Sequence, residues 1–336
     1  MQDALYGESG FFTSGAAGPA GHFRTSVHAS PLFTAALHRL IGKVDAALRH
    51  PPRFDVVDVG AGRGELLTAL RPLLAESLGS RARLAGVEAA PRPPGLDSSI
   101  GWRRDVPDGI VGVLLGTEWL DNVPLDVAET DRDGRVRRVL VEPDTGAESL
   151  GAPVDAADAF WLARWWPLRT PGDRAEIGWS RDIAWADAVS AVRRGCALAV
   201  DYGHVRDDRP VLGTLTGFRA GRQVPPVPDG GCDVTAHVAV DAVAAAPGSP
   251  YVLLRQRAAL HALGISAARP PLDQAGSDPA GYLRALSRAG AAAELTDEAG
   301  LGGHWWLLHG IGIDPPLAGL PPARRTPLTG SGAPDS

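Results

Sequence analysis

The stretch Arg53–Leu67, RFDVVDVGAGRGELL, runs an apolar segment into three glycines spaced two apart. RFDVVDVG reads as a buried strand. GRGELLTALRPLLAESLG reads as the helix after it, with Pro72 expected to bend it or to end its first part. Asp58 stands just before Gly60, Gly62 and Gly64. Glycines at a strand-to-helix turn let a ligand approach the backbone, and the helix start offers free N–H groups. The spacing decides between ligands. A dinucleotide fingerprint, G-x-G-x-x-G, needs its third glycine three residues after the second. Glu65 occupies that place, and a carboxylate there would repel a pyrophosphate. A nicotinamide oxidoreductase is therefore disfavoured.

The flanking pattern extends the sheet. ARLAGVEA reads as a second strand, IGWRRDV as a third, and Gly109–Gly116, apolar on both faces, as a fourth. CALAVDYG supplies a fifth, YVLLRQRAALHALGI a strand and helix, and HWWLLHGIG a late strand. Apolar strands alternating with helices indicate a parallel sheet covered on both sides. Between the fourth and fifth strands, LDVAETDRDGRVRRVLVEP alternates around Asp133-Gly134, which predicts an inserted hairpin with a type I′ turn. VDAADAFWLARWWPL follows as a helix with Trp161 and Trp165 on one packing face. SRDIAWADAVSAVRRG is another, with Gly195 as its expected C-cap. A long turn-rich segment follows the fifth strand. Upstream, residues 1–31 are loop-rich, and Pro31 opens a helix over Leu32–Leu48 with Ser30 as N-cap. From about Asp314 onward Pro, Gly and Ser dominate, so residues 313–336 read as a disordered tail.

The chain has 336 residues, 44% of them hydrophobic, enough for one large α/β domain with insertions. No run is long enough to span a membrane, and the start has neither a signal-peptide nor a presequence pattern. Two cysteines, Cys196 and Cys232, make neither a disulfide framework nor a metal quartet and read as small buried residues. No metal is expected, and the setting reads as cytoplasmic. A formal charge of −6 argues against nucleic-acid binding. Lys43 is the only lysine, so arginine clusters such as Arg135–Val139 read as solvated strand faces.

The pattern D-x-G-x-G-x-G, Asp58 to Gly64, resembles motif I of the class I S-adenosylmethionine (SAM) methyltransferases. That cofactor carries an amino acid and a sulfonium but no phosphate. The resemblance implies that Asp58 orients its cationic amino-acid end, while Gly60, Gly62 and Gly64 admit the adenosyl portion. It also implies that Glu88, in AGVEAA, accepts hydrogen bonds from both ribose hydroxyls. Asp105 after GWRR, or Asp108, would reach the adenine amine. GTEWLDNVP, LAVDYGH, GTLTGFRAG and GGCDVTAHV, in this order, resemble the MidA-like methyltransferases. So do the opening YGESGFFTSGAAGPAGHFRTSVHASP and the closing LTDEAGLGGHWWLLHG. The likeness spans about residues 5–310. It departs from the family's usual form at Thr117, at Glu176–Ser180 and in GHFRTSVHASP. It implies an α/β fold with a class I, Rossmann-like seven-stranded sheet and insertions after strands four and five. Residues 1–50 would be a loop and helix covering the cofactor. Residues 51–312 would form the methyltransferase domain, with insertions at about 125–178 and 203–236.

The family includes a mitochondrial complex I assembly factor that methylates a protein arginine, so a protein side chain is the implied acceptor. Arginine stays protonated in proteins, and carboxylates must hold the guanidinium and take up the departing proton. Glu118 and Asp121, three apart after the fourth strand, are the expected clamp. The plainer reading has Asp121 capping the turn and Glu118 facing solvent. After Asp201, Tyr202 is expected to wall the pocket, and His204 either to accept a proton near neutral pH or to stand as a solvated loop histidine, the commoner case. Asp233 remains ambiguous, His237 reads as a structural hydrogen bonder, and His304 and His309 as packing residues. A second functional class is a SAM-binding assembly factor or sensor with little turnover. The acceptor's identity and the oligomeric state are not fixed by the sequence.

Overall fold

The computed structural model describes residues 1–13 and 26–320. Residues 14–25 of the expected opening loop, and residues 321–336 of the expected tail, lie outside these. Seven strands form the central sheet: β1 Phe54–Val59, β2 Ala82–Val87, β3 Ile100–Arg103 and β4 Ile110–Thr117. β5 is Val192–Asp201, β6 Tyr251–Arg255 and β7 Trp305–Ile311. Their spatial order is β6-β7-β5-β4-β1-β2-β3. All neighbours pair in parallel except those of β7, which runs against both β5 and β6.

Every residue of β1 is buried, because the sheet is covered on both faces. Phe54 and Val56 join Phe33, Leu37, Leu67 and Leu70 in one core. Val57 and Val59 point the other way, into a core with Trp185, Val189 and Val243. Helices Pro31–Ala47 and Glu65–Ser77 therefore cover one face, and Trp179–Ser190 and Val240–Ala245 the other. Ser30 caps the first of these, its hydroxyl oxygen accepting from the Leu32 N–H at 3.1 Å.

Pro72 does not end its helix. An interior proline costs about 3 kcal/mol or more, but burial of Leu66, Leu67, Leu70 and Leu74 returns about 1.5–3 kcal/mol each. Gly195 is not a C-cap. It lies inside β5 at φ +137°, where an added Cβ would sit 1.8 Å from the Gly112 carbonyl oxygen of β4. Its role is close strand approach, and the preceding helix ends at Ser190.

The insertion after β4 is larger than a hairpin and helix. Strands Asp126–Thr130, Val136–Val141, Glu148–Pro153 and Arg174–Ile177 form an antiparallel sheet with helix Ala156–Trp165. Its first turn is not type I′. Gly134 has φ +79°, but Asp133 is not left-handed, and the Gly134 N–H bonds the Asp131 carbonyl at 3.0 Å. The Asp131 carboxylate takes the N–H groups of Asp133 and Arg135, favouring a type I turn closed by a left-handed glycine. The insertion after β5 carries strands Thr216–Arg219, Arg222–Val224 and Asp233–Thr235. The N-terminal segment docks on it: Leu5 and Phe11 pack with Cys232 and Val234. Beyond β7, Leu317 and Leu320 pack against the core, so the expected tail does not begin at residue 313. No helix among the described residues is long and apolar enough to cross a membrane.

Candidate active site

The ends of β1, β2 and β4 meet at one edge of the sheet, the edge where open α/β sheets bind ligands. A cavity of about 500 Å³ opens there. Its walls come from Asp58–Gly62 after β1, Val87–Ala89 after β2, Arg104–Val106 after β3, and Thr117–Trp119 with Asn122–Pro124 after β4. Gln2, Tyr6, Phe12 and Val27 close it from the N-terminal side, and Glu65 and Leu66 complete it.

Gly60 and Gly62 line the cavity at φ +70° and +57°, a conformation most side chains avoid. A Cβ on Gly60 would also press on Trp119 at 2.9 Å. Gly64 lies at φ +80° but does not line the cavity: an added Cβ would strike Leu96 at 2.8 Å. Its expected place against the cofactor is corrected to a packing role beneath the turn.

Glu88 lines the cavity with its carboxylate already oriented. Oε2 accepts from the Gly62 N–H at 2.9 Å, and Oε1 from Ala89 at 2.7 Å and Ala90 at 3.3 Å. Burial still raises its pKa, and the Gly62 N–H works against that rise. Asp58 also lines the cavity and is 2% exposed. Among the described residues its Oδ1 has no hydrogen-bond partner, and its pKa is pushed up to about 8 by burial, then by Glu88 and Glu65. An unpartnered buried carboxylate beside a second one is a site in want of a cation. Asp105 lines the cavity and Asp108 does not, which favours Asp105 of the two.

The four expected catalytic residues separate. Glu118 alone lines the cavity. It sits at φ +51° at the end of β4, its N–H donating to the Val200 carbonyl at 2.7 Å. Its Oε1 accepts from the Ser26 N–H at 2.9 Å, and burial, aided by Asp121, raises its pKa to about 8. Asp121 is not a cavity residue. It is 1% exposed, and its carboxylate accepts from the Tyr202 hydroxyl and from Thr235 Oγ1, the latter at 2.8 Å. The expected two-carboxylate clamp is therefore absent, and so is the plainer reading in which Glu118 faces solvent.

Tyr202 does not wall the cavity either: its hydroxyl is held by Asp121 and Thr235. His204 is buried, its Nδ1 2.7 Å from Arg209 Nη1 and its ring edge-on to Trp166. Burial, then Arg209, lowers its pKa to about 2, so it stays neutral and is corrected from proton acceptor to structural residue. Asp201 anchors the loop after β4, accepting from the Leu120 and Asp121 N–H groups at 3.0 and 3.3 Å.

Trp119, Asn122, Tyr6, Phe12 and Val27 line the cavity but were not foreseen. The first two stand inside GTEWLDNVP and the next two inside YGESGFF, so the segments were visible although the residues were not singled out. Asn122 is fixed by its amide nitrogen, which donates to Asp233 Oδ1 at 2.7 Å and to the Val234 carbonyl at 3.3 Å.

The donor set suits S-adenosyl-L-methionine. Asp58 would receive the ammonium group, Glu88 the ribose hydroxyls and Asp105 the adenine, with the Gly60–Gly62 backbone in between. A model of the family described as "Putative S-adenosyl-L-methionine-dependent methyltransferase" matches residues 69–249, beginning past the glycine turn. A Burkholderia thailandensis structure described as a "likely methyl transferase", bound to S-adenosyl-homocysteine, is 26% identical with a TM-score of 0.71 over 87% of this chain and 80% of that one. A native structure of an uncharacterized protein of the same superfamily and organism is 26% identical with a TM-score of 0.73, over 93% and 86% of the two chains. No curated protein matches the chain. A methyltransferase strand order, an acid-lined glycine turn and a family match over more than half its length agree: the chain belongs to this family of S-adenosyl-L-methionine-dependent methyltransferases, and S-adenosyl-L-methionine is its cofactor.

Proposed function

We propose that this protein is a MidA-like enzyme that methylates a protein side chain, with arginine the leading acceptor. The observation that carries the reading is Glu118, a carboxylate held in a left-handed backbone conformation at the mouth of β4, in the same cavity as Asp58 and Glu88. Non-glycine residues persist in that conformation where the surrounding structure imposes it, often at functional sites. Burial pushes the Glu118 pKa up to about 8, so an approaching cationic acceptor draws the group into the charged form that can hold the acceptor and take up the proton that methylation releases. Bound S-adenosyl-L-methionine supplies the electrophilic methyl group. The chain's part is to align the acceptor nitrogen and exclude water, for which Trp119, Tyr6 and Phe12 form an aromatic wall.

One observation favours the second reading, a SAM-binding assembly factor or sensor. Asp121, Tyr202 and His204 are withdrawn from the cavity, leaving Glu118 as the one expected catalytic group in it. The test for both is incubation of cell extract with isotopically labelled SAM and this protein. Label on an arginine of a protein supports the first reading. Donor binding without label on any molecule supports the second. The two buried free cysteines are consistent with the cytoplasmic setting we infer.

A further inference from the structure

A second groove, about 560 Å³, adjoins the donor cavity, and Gln2 and Pro124 line both. Its acidic lining residues are Asp3, Asp126 and Asp158, and among the described residues no lysine or arginine lines it. Arg138 lies behind, paired with Asp155 and Asp158 and 3.7 Å from Asp126, so Asp3 is the acid of the three outside that pairing. The outer rim is apolar. Trp179 and Val141 line the groove at 37% and 43% exposure. The Trp179 indole N–H donates to the Ala157 carbonyl at 3.2 Å, which lays the ring against the helix bearing Phe160. Phe160 is 61% exposed, and Ile183, one turn on from Trp179, is 56% exposed. Isolated exposed apolar residues need no explanation, but a cluster with an acidic rim marks a contact surface.

We propose that this groove docks the polypeptide segment that presents the acceptor: a segment with a basic side chain, entering the donor cavity between Gln2 and Pro124, and apolar neighbours seated on Trp179, Phe160 and Ile183. The proposal rests on the reading of the donor cavity as a methyl-transfer site. Charge complementarity selects the occupant. The groove leads into a cavity lined by Glu118 and Arg104 beside Asp58, Glu88 and Asp105, and with the donor held by the last three, Glu118 is the acid left to meet an acceptor. A basic side chain meets the Asp3 carboxylate on entry and Glu118 at the end of the route, whereas an acidic peptide would be repelled at both. A small acceptor would have no use for the apolar rim.

The test uses the full-length protein saturated with S-adenosyl-homocysteine. The probes are two fluorescein-labelled eleven-residue pools, about five random positions on each side of a fixed central arginine or glutamate. Fluorescence anisotropy is expected to show the arginine pool binding at least ~10-fold tighter than the glutamate pool. Trp179→Ala and Asp3→Lys, both at exposed positions, should each weaken the arginine pool ~5-fold or more. Calorimetry should show their S-adenosyl-homocysteine affinity unchanged. Equal binding of the two pools, or variants that bind the arginine pool normally, would overturn the proposal. So would a dimer in sedimentation that Trp179→Ala dissociates, since a second copy would then own the surface. Loss of S-adenosyl-homocysteine binding by the wild type would instead sink the donor reading, which keeps the two failures distinct.

Discussion

The Gly62 N–H donates to Glu88 Oε2 at 2.9 Å, so the glycine turn after β1 and the acid after β2 are one unit. The turn positions the carboxylate before any ligand arrives. Glu88→Ala should weaken S-adenosyl-homocysteine binding by about 1.5–3 kcal/mol, roughly ten- to a hundredfold, in a protein that still folds but melts lower, since the Gly62, Ala89 and Ala90 N–H groups lose their acceptor. Calorimetry and a thermal melt check both. An unaltered dissociation constant would remove Glu88 from the cofactor site.

Glu118 and Asp121 should behave differently although they stand three residues apart. Glu118→Gln is expected to keep S-adenosyl-homocysteine affinity and to slow methyl transfer about ten- to a hundredfold, the cost of one charge-assisted contact in a closed site. Asp121→Ala should destabilise the fold by about 1–3 kcal/mol, because the Tyr202 and Thr235 hydroxyls lose their shared acceptor. Urea melts and a transfer assay separate the two. A stable Asp121→Ala protein that has lost transfer would return Asp121 to the reacting site.

Three carboxylates, Asp58, Glu118 and Asp233, have pKa values pushed up to about 8 by burial, from ordinary values of 3.8 to 4.5. A raised carboxylate contributes stability below its unfolded pKa and loses it as pH rises through its folded pKa. The free protein should therefore lose melting temperature between pH 5 and about 8. A bound cation lowers the Asp58 pKa, so S-adenosyl-homocysteine affinity should rise over the same window and its binding should release protons. Melts at several pH values, and calorimetry in buffers of different ionisation enthalpy, test this. A melting temperature that stays flat or rises from pH 5 to 8 would contradict it.

The side of the cavity expected to hold the cofactor was legible because it is local. A buried strand, a left-handed glycine turn and a helix start fit within Arg53–Leu67, and Glu88 directly follows the very next strand. The acceptor half depends on depth, which spacing does not encode. Leu120–Asn122 form one 3₁₀ turn, and across it the Glu118 side chain faces the cavity while Asp121 turns down toward Thr235, 114 residues away in sequence. Tyr202 and His204 follow β5 on the correct edge, yet Thr235 and Arg209 draw their polar atoms away from the cavity. Gly195 mimicked a helix cap because its real constraint, the Gly112 carbonyl of the neighbouring strand, lies across the sheet.

Calorimetry of the donor site tests the central claim most directly. Wild-type protein, Gly62→Val and Asp58→Asn are each titrated with S-adenosyl-L-methionine, S-adenosyl-homocysteine and NAD. The account predicts single-site binding of the two adenosyl ligands to the wild type and none of NAD. Gly62→Val should lose binding, since a β-branched side chain at φ +57° strains the turn beside Glu88. Asp58→Asn should bind less tightly, having lost the charge that meets the ammonium group. Saturable NAD binding with no heat from either adenosyl ligand, or full affinity in a folded Gly62→Val variant, would contradict it.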